Sequence, residues 1–270
     1  MHDFPRKTLF LLLLIVLVTF LGGFLYTADP YLLHRDAILS APSLAHPFGT
    51  DRLGRDLLAR IIEGGKVSLI IGVGSALIGT FLGFILGAIA GYARGAVDKG
   101  FVIVVDLFLT FPTFFLLLAL VSYVNASALV LILIISVTGW MTTARLVRSE
   151  SFAVTSQPFI KILGIAGVSR AKILLKYYAP LLAPIFFVSF TFGVGGAILS
   201  ESGLSFLGLG IVAPQMSWGT ILSNGKEVID IAWWVSFFPG LMIFLVTLCL
   251  MNLANYLQQR TNKKKIQSGA

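Results

Sequence analysis

The sequence predicts an all-α membrane protein with six transmembrane helices, and three observations carry that prediction. Of 270 residues, 57% are hydrophobic and only 12% charged, about half the charged share of a soluble domain. The mean hydropathy, +0.94, agrees. The apolar residues are also gathered into six runs of roughly twenty, the length a helix needs to cross the hydrocarbon of a bilayer. Lipid, not water, is the main solvent of such a chain.

The first run, Leu9 to Tyr26, follows Arg6 and Lys7. It exceeds the apolar core of a signal peptide and no small-residue cleavage site follows, so it reads as an uncleaved anchor. The next segment, Thr27 to Lys66, is too long for a turn. Near its end Leu57, Leu58, Ile61 and Ile62 recur at helical spacing beside Arg55, Asp56, Arg60 and Glu63, which predicts an amphipathic helix lying in the interface plane. The second run, Val67 to Tyr92, carries Gly79, Gly83, Gly87 and Gly91, with Gly95 beyond it. Glycines spaced by four line up on one helix face and let another backbone approach, within the subunit or across a dimer. The third run, Phe101 to Val124, contains Asp106, placed to reach the interface or to pair with Arg94 or Lys99. Ala126 to Ala144, Tyr178 to Leu199 and Ile231 to Asn255 complete the set. The chain thus divides into residues 1–26, a loop at 27–66, a five-helix core at 67–256 with the long connection 145–177, and a basic tail at 257–270.

Orientation follows from the basic residues. With the N-terminus in the cytoplasm, Arg6, Lys7, Arg94, Lys99, Arg145, Arg148, Lys161, Arg170, Lys172, Lys176, Arg260 and Lys263 to Lys265 lie inside, leaving six of the 20 basic residues outside. The positive-inside rule therefore places both termini in the cytoplasm. The net charge of +8 is topological on this reading and does not call for nucleic acid. The connection 145–177 becomes an inner loop, and 27–66 an outer one.

Enzyme chemistry finds little support. Cys249 is the single cysteine, and His2, His34 and His46 lack the spacing of a metalloprotease pair. Gly203-Leu204-Ser205-Phe206-Leu207 ends in leucine where a nucleophile elbow needs glycine. Gly65-Lys66-Val67-Ser68 lacks the earlier glycine of a phosphate loop, so the chain is expected to hold no ATP, metal or other cofactor. Glu201, beyond the fifth run, has two readings: a contact or gate at the outer end of a pathway, or a solvated carboxylate.

The inner loop reads as two short amphipathic helices joined at Gly167. Ile160, Leu163, Ile173 and Leu174 supply apolar anchors, Ser169 can cap the second helix, and Lys172 and Lys176 offer cations near its end. Such an element is an interfacial hairpin or a docking knob. It resembles the inner loop of ATP-binding-cassette importer permeases of the binding-protein-dependent superfamily, where an EAA motif precedes a glycine and, thirteen positions later, a proline. Gly167 and Pro180 match, while Lys161-Ile162-Leu163 stands where Glu-Ala-Ala is typical. Two more stretches look like signatures of the dipeptide, oligopeptide and nickel permeases. One is His46 to Asp56, with Gly49, Thr50, Asp51, Gly54, Arg55 and Asp56. The other is Glu201 to Gly210, with Glu201 and Gly203, followed by Pro214 and Ser217-Trp218-Gly219. With Asp106 to Pro112, the resemblance covers nearly the whole chain and is specific to the second permease of the pair.

The resemblance implies a type I importer permease fold in a bacterial inner membrane. It also implies a heterodimer with a homologous permease, two cytoplasmic ATPase subunits that bind ATP and magnesium, and an extracytoplasmic solute-binding protein. Residues Lys161, Ile162, Leu163, Gly167, Ser169, Arg170, Lys172 and Pro180 would then form the coupling surface. The implied cargo is small peptides, with nickel or a nickel chelate as the alternative. A stand-alone channel, a secondary carrier and an intramembrane enzyme are the readings from other classes.

Overall fold

The computed structural model describes residues 4–169 and 172–268, apart from the side chains of 161, 164, 174 and 263–268. Arg170 and the Lys161 side chain therefore lie outside the described residues. The order of helices is α1 (Arg6–Leu25), α2 (Leu57–Ala93), α3 (Gly95–Leu109), α4 (Thr113–Val121), α5 (Ala128–Thr155), α6 (Pro158–Ile165), α7 (Ala179–Phe206), α8 (Trp218–Lys226) and α9 (Trp234–Ser268). A π-helical turn, Ile173–Tyr178, leads into α7.

Five helices are long and apolar enough to cross a membrane, and α3 with α4 supplies the sixth crossing as a pair bent by 75°. The break has a local cause: Pro112 (φ −57°, ψ 122°) caps α4, and a residue that precedes proline is pushed out of the α region. The third run is therefore two helices, which its unbroken apolar composition hides. Each crossing reverses the chain, so the ring of Phe4 meets that of Tyr256 at 5.4 Å and the start of α1 lies beside α9. The bundle has a terminal end, which also carries residues 156–178, and a loop end, which carries 27–56 and 207–233.

The helix expected at Arg55 to Ile62 is not a separate interfacial element. It forms the first turns of α2, which runs without a break to Ala93. Gly64 and Gly65 could have interrupted it, but they are pressed against α8: a Cβ at Gly65 would lie 2.7 Å from the Trp218 ring and one at Gly64 3.0 Å from Ile221. Leu57, Ile61 and Ile62 are buried in the protein. Three other boundaries also move outward, to Thr155 in α5, Phe206 in α7 and Ser268 in α9. Residues 257–268 are thus helical and continuous with α9. No proline and a single glycine, Gly203, occur in these extensions, so hydrogen bonding continues past the point where hydropathy falls.

The closest pairing in the fold joins α2 to α5. The two helices run parallel, because Gly79, Gly83 and Gly87 face Ser136, Trp140 and Ala144 in the same order. A Cβ at Gly83 would stand 2.5 Å from the Trp140 carbonyl oxygen, and one at Gly91 2.8 Å from that of Arg148. The glycine row is therefore a backbone-to-backbone seam inside one subunit. Gly95 does not share in it: it opens α3 at φ +60° with nothing within 4 Å of a Cβ.

Candidate functional site

At the loop end, residues 46–60 form a polar knot around two carboxylates. Asp51 Oδ1 accepts the backbone N–H groups of Leu53 (2.8 Å) and Arg55 (3.0 Å), while its Oδ2 accepts Arg55 Nε at 2.8 Å. Arg60 Nε lies 3.3 Å from the same oxygen. The turn needs left-handed backbone at Gly49 (φ +76°) and Gly54 (φ +73°), which glycine adopts without steric cost. Thr50 holds the knot from both sides, its hydroxyl accepting Ser40 N–H at 2.8 Å and its carbonyl accepting Trp234 Nε1–H at 3.1 Å.

Asp56 caps α2, with Oδ1 accepting Ala59 N–H at 2.9 Å. Its Oδ2 accepts the Tyr26 hydroxyl at 2.7 Å and contacts His46 Nδ1 at 2.8 Å. The carboxylate thus holds the Tyr26 hydroxyl as a donor. His46 is thereby a structural partner, not the solvated residue that its loop position suggests.

Glu201 is fully buried, which removes the solvated reading. Its Oε1 accepts the hydroxyls of Ser217 (2.6 Å) and Ser205 (2.7 Å), and Ser68 approaches Oε2 at 3.5 Å. Ser68 in turn accepts Trp218 N–H at 3.0 Å. One carboxyl group therefore joins α2, α7 and α8. A Cβ at the neighbouring Gly203 would meet the Phe114 ring of α4 at 3.1 Å.

Between these helices lies a cleft of about 460 Å³ lined from α2, α4, α5, α7 and α9. Eight of its lining residues carry hydroxyls, Thr80, Thr138, Thr142 and Ser189 among them, and none carries a charge. Sequence reading did not find this cleft. Its signal was a recurrence of Ser, Thr and Gly on facing helices, which in one dimension is indistinguishable from ordinary helix packing.

Toward the terminal end, Asp106 pairs with Arg145, and Asp98 pairs with Arg148, whose Nη2 donates at 2.7 Å. The expected partners Arg94 and Lys99 are displaced by the turn of α3 toward α5. Arg94 instead donates to Thr155 (2.9 Å) and Ser156 (3.0 Å). Residues 156–178 form the second distinctive element here. Gly167 takes φ +74°, and none of the described residues comes within 4 Å of a Cβ placed there, so the chain turns there as expected. Ile162, Ile165 and Leu175 are exposed by 62%, 88% and 76%. Ser169, Lys172 and Pro180 are exposed and Leu163 is half-buried. The residues expected to form a coupling surface, as far as they can be described, thus share one segment, remote from Asp51, Asp56 and Glu201.

A bundle of apolar helices around an uncharged, hydroxyl-lined cleft fits a membrane permease. The chain belongs to the family of binding-protein-dependent transport system inner membrane components, whose model matches residues 83–263. It is 34% identical over 227 residues to the oligopeptide transport system permease protein OppC of Haemophilus influenzae, covering 83% of this chain and 73% of that one. It is 32% identical over 260 residues to the dipeptide transport system permease protein DppC of Bacillus subtilis, covering 95% and 80%. Among solved structures, an inward-facing form of the MetNI methionine ABC transporter matches with a TM-score of 0.55 over 73% of this chain and 96% of that one, at 15% identity. That match supports the importer permease fold.

Proposed function

We propose that this subunit forms, with a homologous permease, the pathway through which small peptides are imported across a bacterial inner membrane. A solute-binding protein delivers the peptide at the loop end, and two ATPase subunits dock at the terminal end, which faces the cytoplasm. ATP and magnesium are held by those partners, and this chain contributes no cofactor of its own. The observation that carries the reading is the cleft. Hydroxyls and small residues without charge offer a peptide weak hydrogen bonds at many points and no ion pair to hold it, which is what passage requires. The exposed apolar side chains Ile162, Ile165 and Leu175 support docking of a cytoplasmic partner on residues 156–178. Relatives named for oligopeptide and dipeptide transport favour peptide over nickel as cargo.

The test is ATP-driven uptake into proteoliposomes holding the complete transporter, supplied with binding protein and either labelled tripeptide or labelled nickel. Peptide uptake that needs every subunit is the expected result. Nickel uptake without peptide uptake, or flux through this chain alone, would overturn the proposal.

A further inference from the structure

A second cavity, of about 630 Å³, opens at the loop end and is lined by Asp51, Arg52, Arg55 and Arg60 on one side and by Ile211 to Met216 on the other. Its charges do not balance. Arg52 is matched by Glu227, but Asp51 alone serves both Arg55, at 2.7 Å, and Arg60, at 3.3 Å. One positive charge is left over. Arg60 is only 4% exposed. Its Nε–H has no hydrogen-bond acceptor among the described residues, although Asp51 Oδ2, which also takes Arg55, lies 3.3 Å away. Among the described residues, the hydrogen-bond acceptor of its guanidinium is the Pro30 carbonyl, at 3.2 Å. A buried guanidinium with five donors and half a counter-ion is costly unless an anion completes it.

The size and walls of the cavity narrow the choice of anion. Its volume is within the range of small-molecule sites and exceeds what a lone inorganic ion fills. Ile211, Val212, Pro214 and Met216 give the same cavity an apolar lining, and Gln215 and Asn224 add amide groups. An apolar wall, amides and an excess guanidinium match a peptide end: side chain, amide and carboxylate. The position also fits. Ser205 lines this cavity and Ser200 the neutral cleft, and five residues of helix separate them by about 8 Å.

We propose that this cavity receives the C-terminal carboxylate of a peptide before the peptide enters the cleft, with Arg60 and Arg55 as the paired cations. The inference rests on the peptide reading given above. Guanidinium and carboxylate meet in a bidentate, charge-assisted pair. Because Asp51 already neutralises half of the basic charge, the site holds its anion weakly enough to pass it on.

Uptake of trialanine and of trialanine amide is measured in proteoliposomes holding the complete transporter, with the binding protein saturated by each peptide. Any preference of the binding protein for the acid is common to all variants and cancels when their ratios are compared. In Arg60→Gln, the ratio of acid to amide uptake should fall about tenfold, through slower uptake of the acid alone. Asn224→Trp, which narrows the exposed rim without removing any of the cavity's charges, should lower the same ratio and keeps the test decisive if Arg60→Gln does not assemble. An unchanged ratio overturns the proposal. So does an equal slowing of both peptides with loss of binding-protein-stimulated ATP hydrolysis, since the carboxylate would then belong to the binding protein. Failure of the unaltered transporter to move either peptide would instead strike the peptide reading itself.

Discussion

Asp56 and Glu201 show how much a single buried carboxyl group can organise in a protein with few charges. Asp56 caps α2 and also serves Tyr26 and His46. Asp56→Ala should therefore cost more than the roughly 1 kcal/mol of a lost cap, because two further donors lose their acceptor at about 1 kcal/mol or more each. Asp56→Asn keeps the cap and should be milder. Thermal unfolding of the purified permease pair would rank the three proteins, and equal midpoints for Ala and Asn would contradict the network. Glu201→Gln retains an oxygen for Ser205 and Ser217 and should assemble nearly as well as the parent. Glu201→Leu strands those hydroxyls in the α2, α7 and α8 junction and should lower the unfolding midpoint clearly. Neither network was legible beforehand. The sequence marks Asp56 and Glu201 as members of signatures, but Tyr26 lies 30 residues from Asp56 and Ser68 lies 133 residues from Glu201, and only the folded topology brings them together.

The helices themselves were largely legible, because a run of apolar residues reports directly on the solvent that must surround it. What hydropathy does not report is where hydrogen bonding stops. The first two turns of α2 and the last turns of α5, α7 and α9 are polar enough to leave the hydrocarbon yet contain nothing that ends a helix, so they extend each span. The reverse holds at Pro112, where composition stays apolar and the helix breaks. The glycine row was read correctly as a contact surface, and the structure assigns it to α2 and α5. Gly83→Leu and Gly87→Leu should therefore disrupt this subunit before any partner is involved, seen as loss of a monodisperse peak when the chain is expressed with its partner permease. A normal peak for both would show that the seam tolerates separation. In the broken third span, ion pairs add to the packing of Val105, Leu117 and Val121. Arg148→Asp should loosen α3 and reduce transport, and Asp98→Arg in the same chain should restore part of it, since the pair Asp98 and Arg148 would be re-formed in reverse. Failure of the double variant to exceed the single one would assign the pair no role of its own.

At the scale of the whole molecule, the described charged groups divide between the two ends, and the uncharged cleft lies between them. In the proposed transporter, Gly167 is the position where a substitution should uncouple the two ends with least damage. At φ +74°, with open space around it, a valine would strain the backbone by about 1–2 kcal/mol without clashing inside this chain. Gly167→Val should therefore reach the membrane at normal abundance while losing transport and substrate-stimulated ATP hydrolysis. Normal transport would show that the turn serves no partner. The α2 and α5 seam gives this coupling a mechanical form. Residues 156 and 157 are all that separate α5 from α6, so a push on α6 is delivered almost directly to the foot of α5. Four glycines spaced along the contact leave α2 no side chains on which to slide, so it must tilt with its neighbour as one rod. A helix of 37 residues is about 55 Å long, so each degree of tilt about its foot carries the far tip through about 1 Å. That tip begins beside Asp56 and Arg60. A rotation of only a few degrees at the foot would thus be magnified, by leverage alone, into a displacement large enough to open or shut the basic cavity.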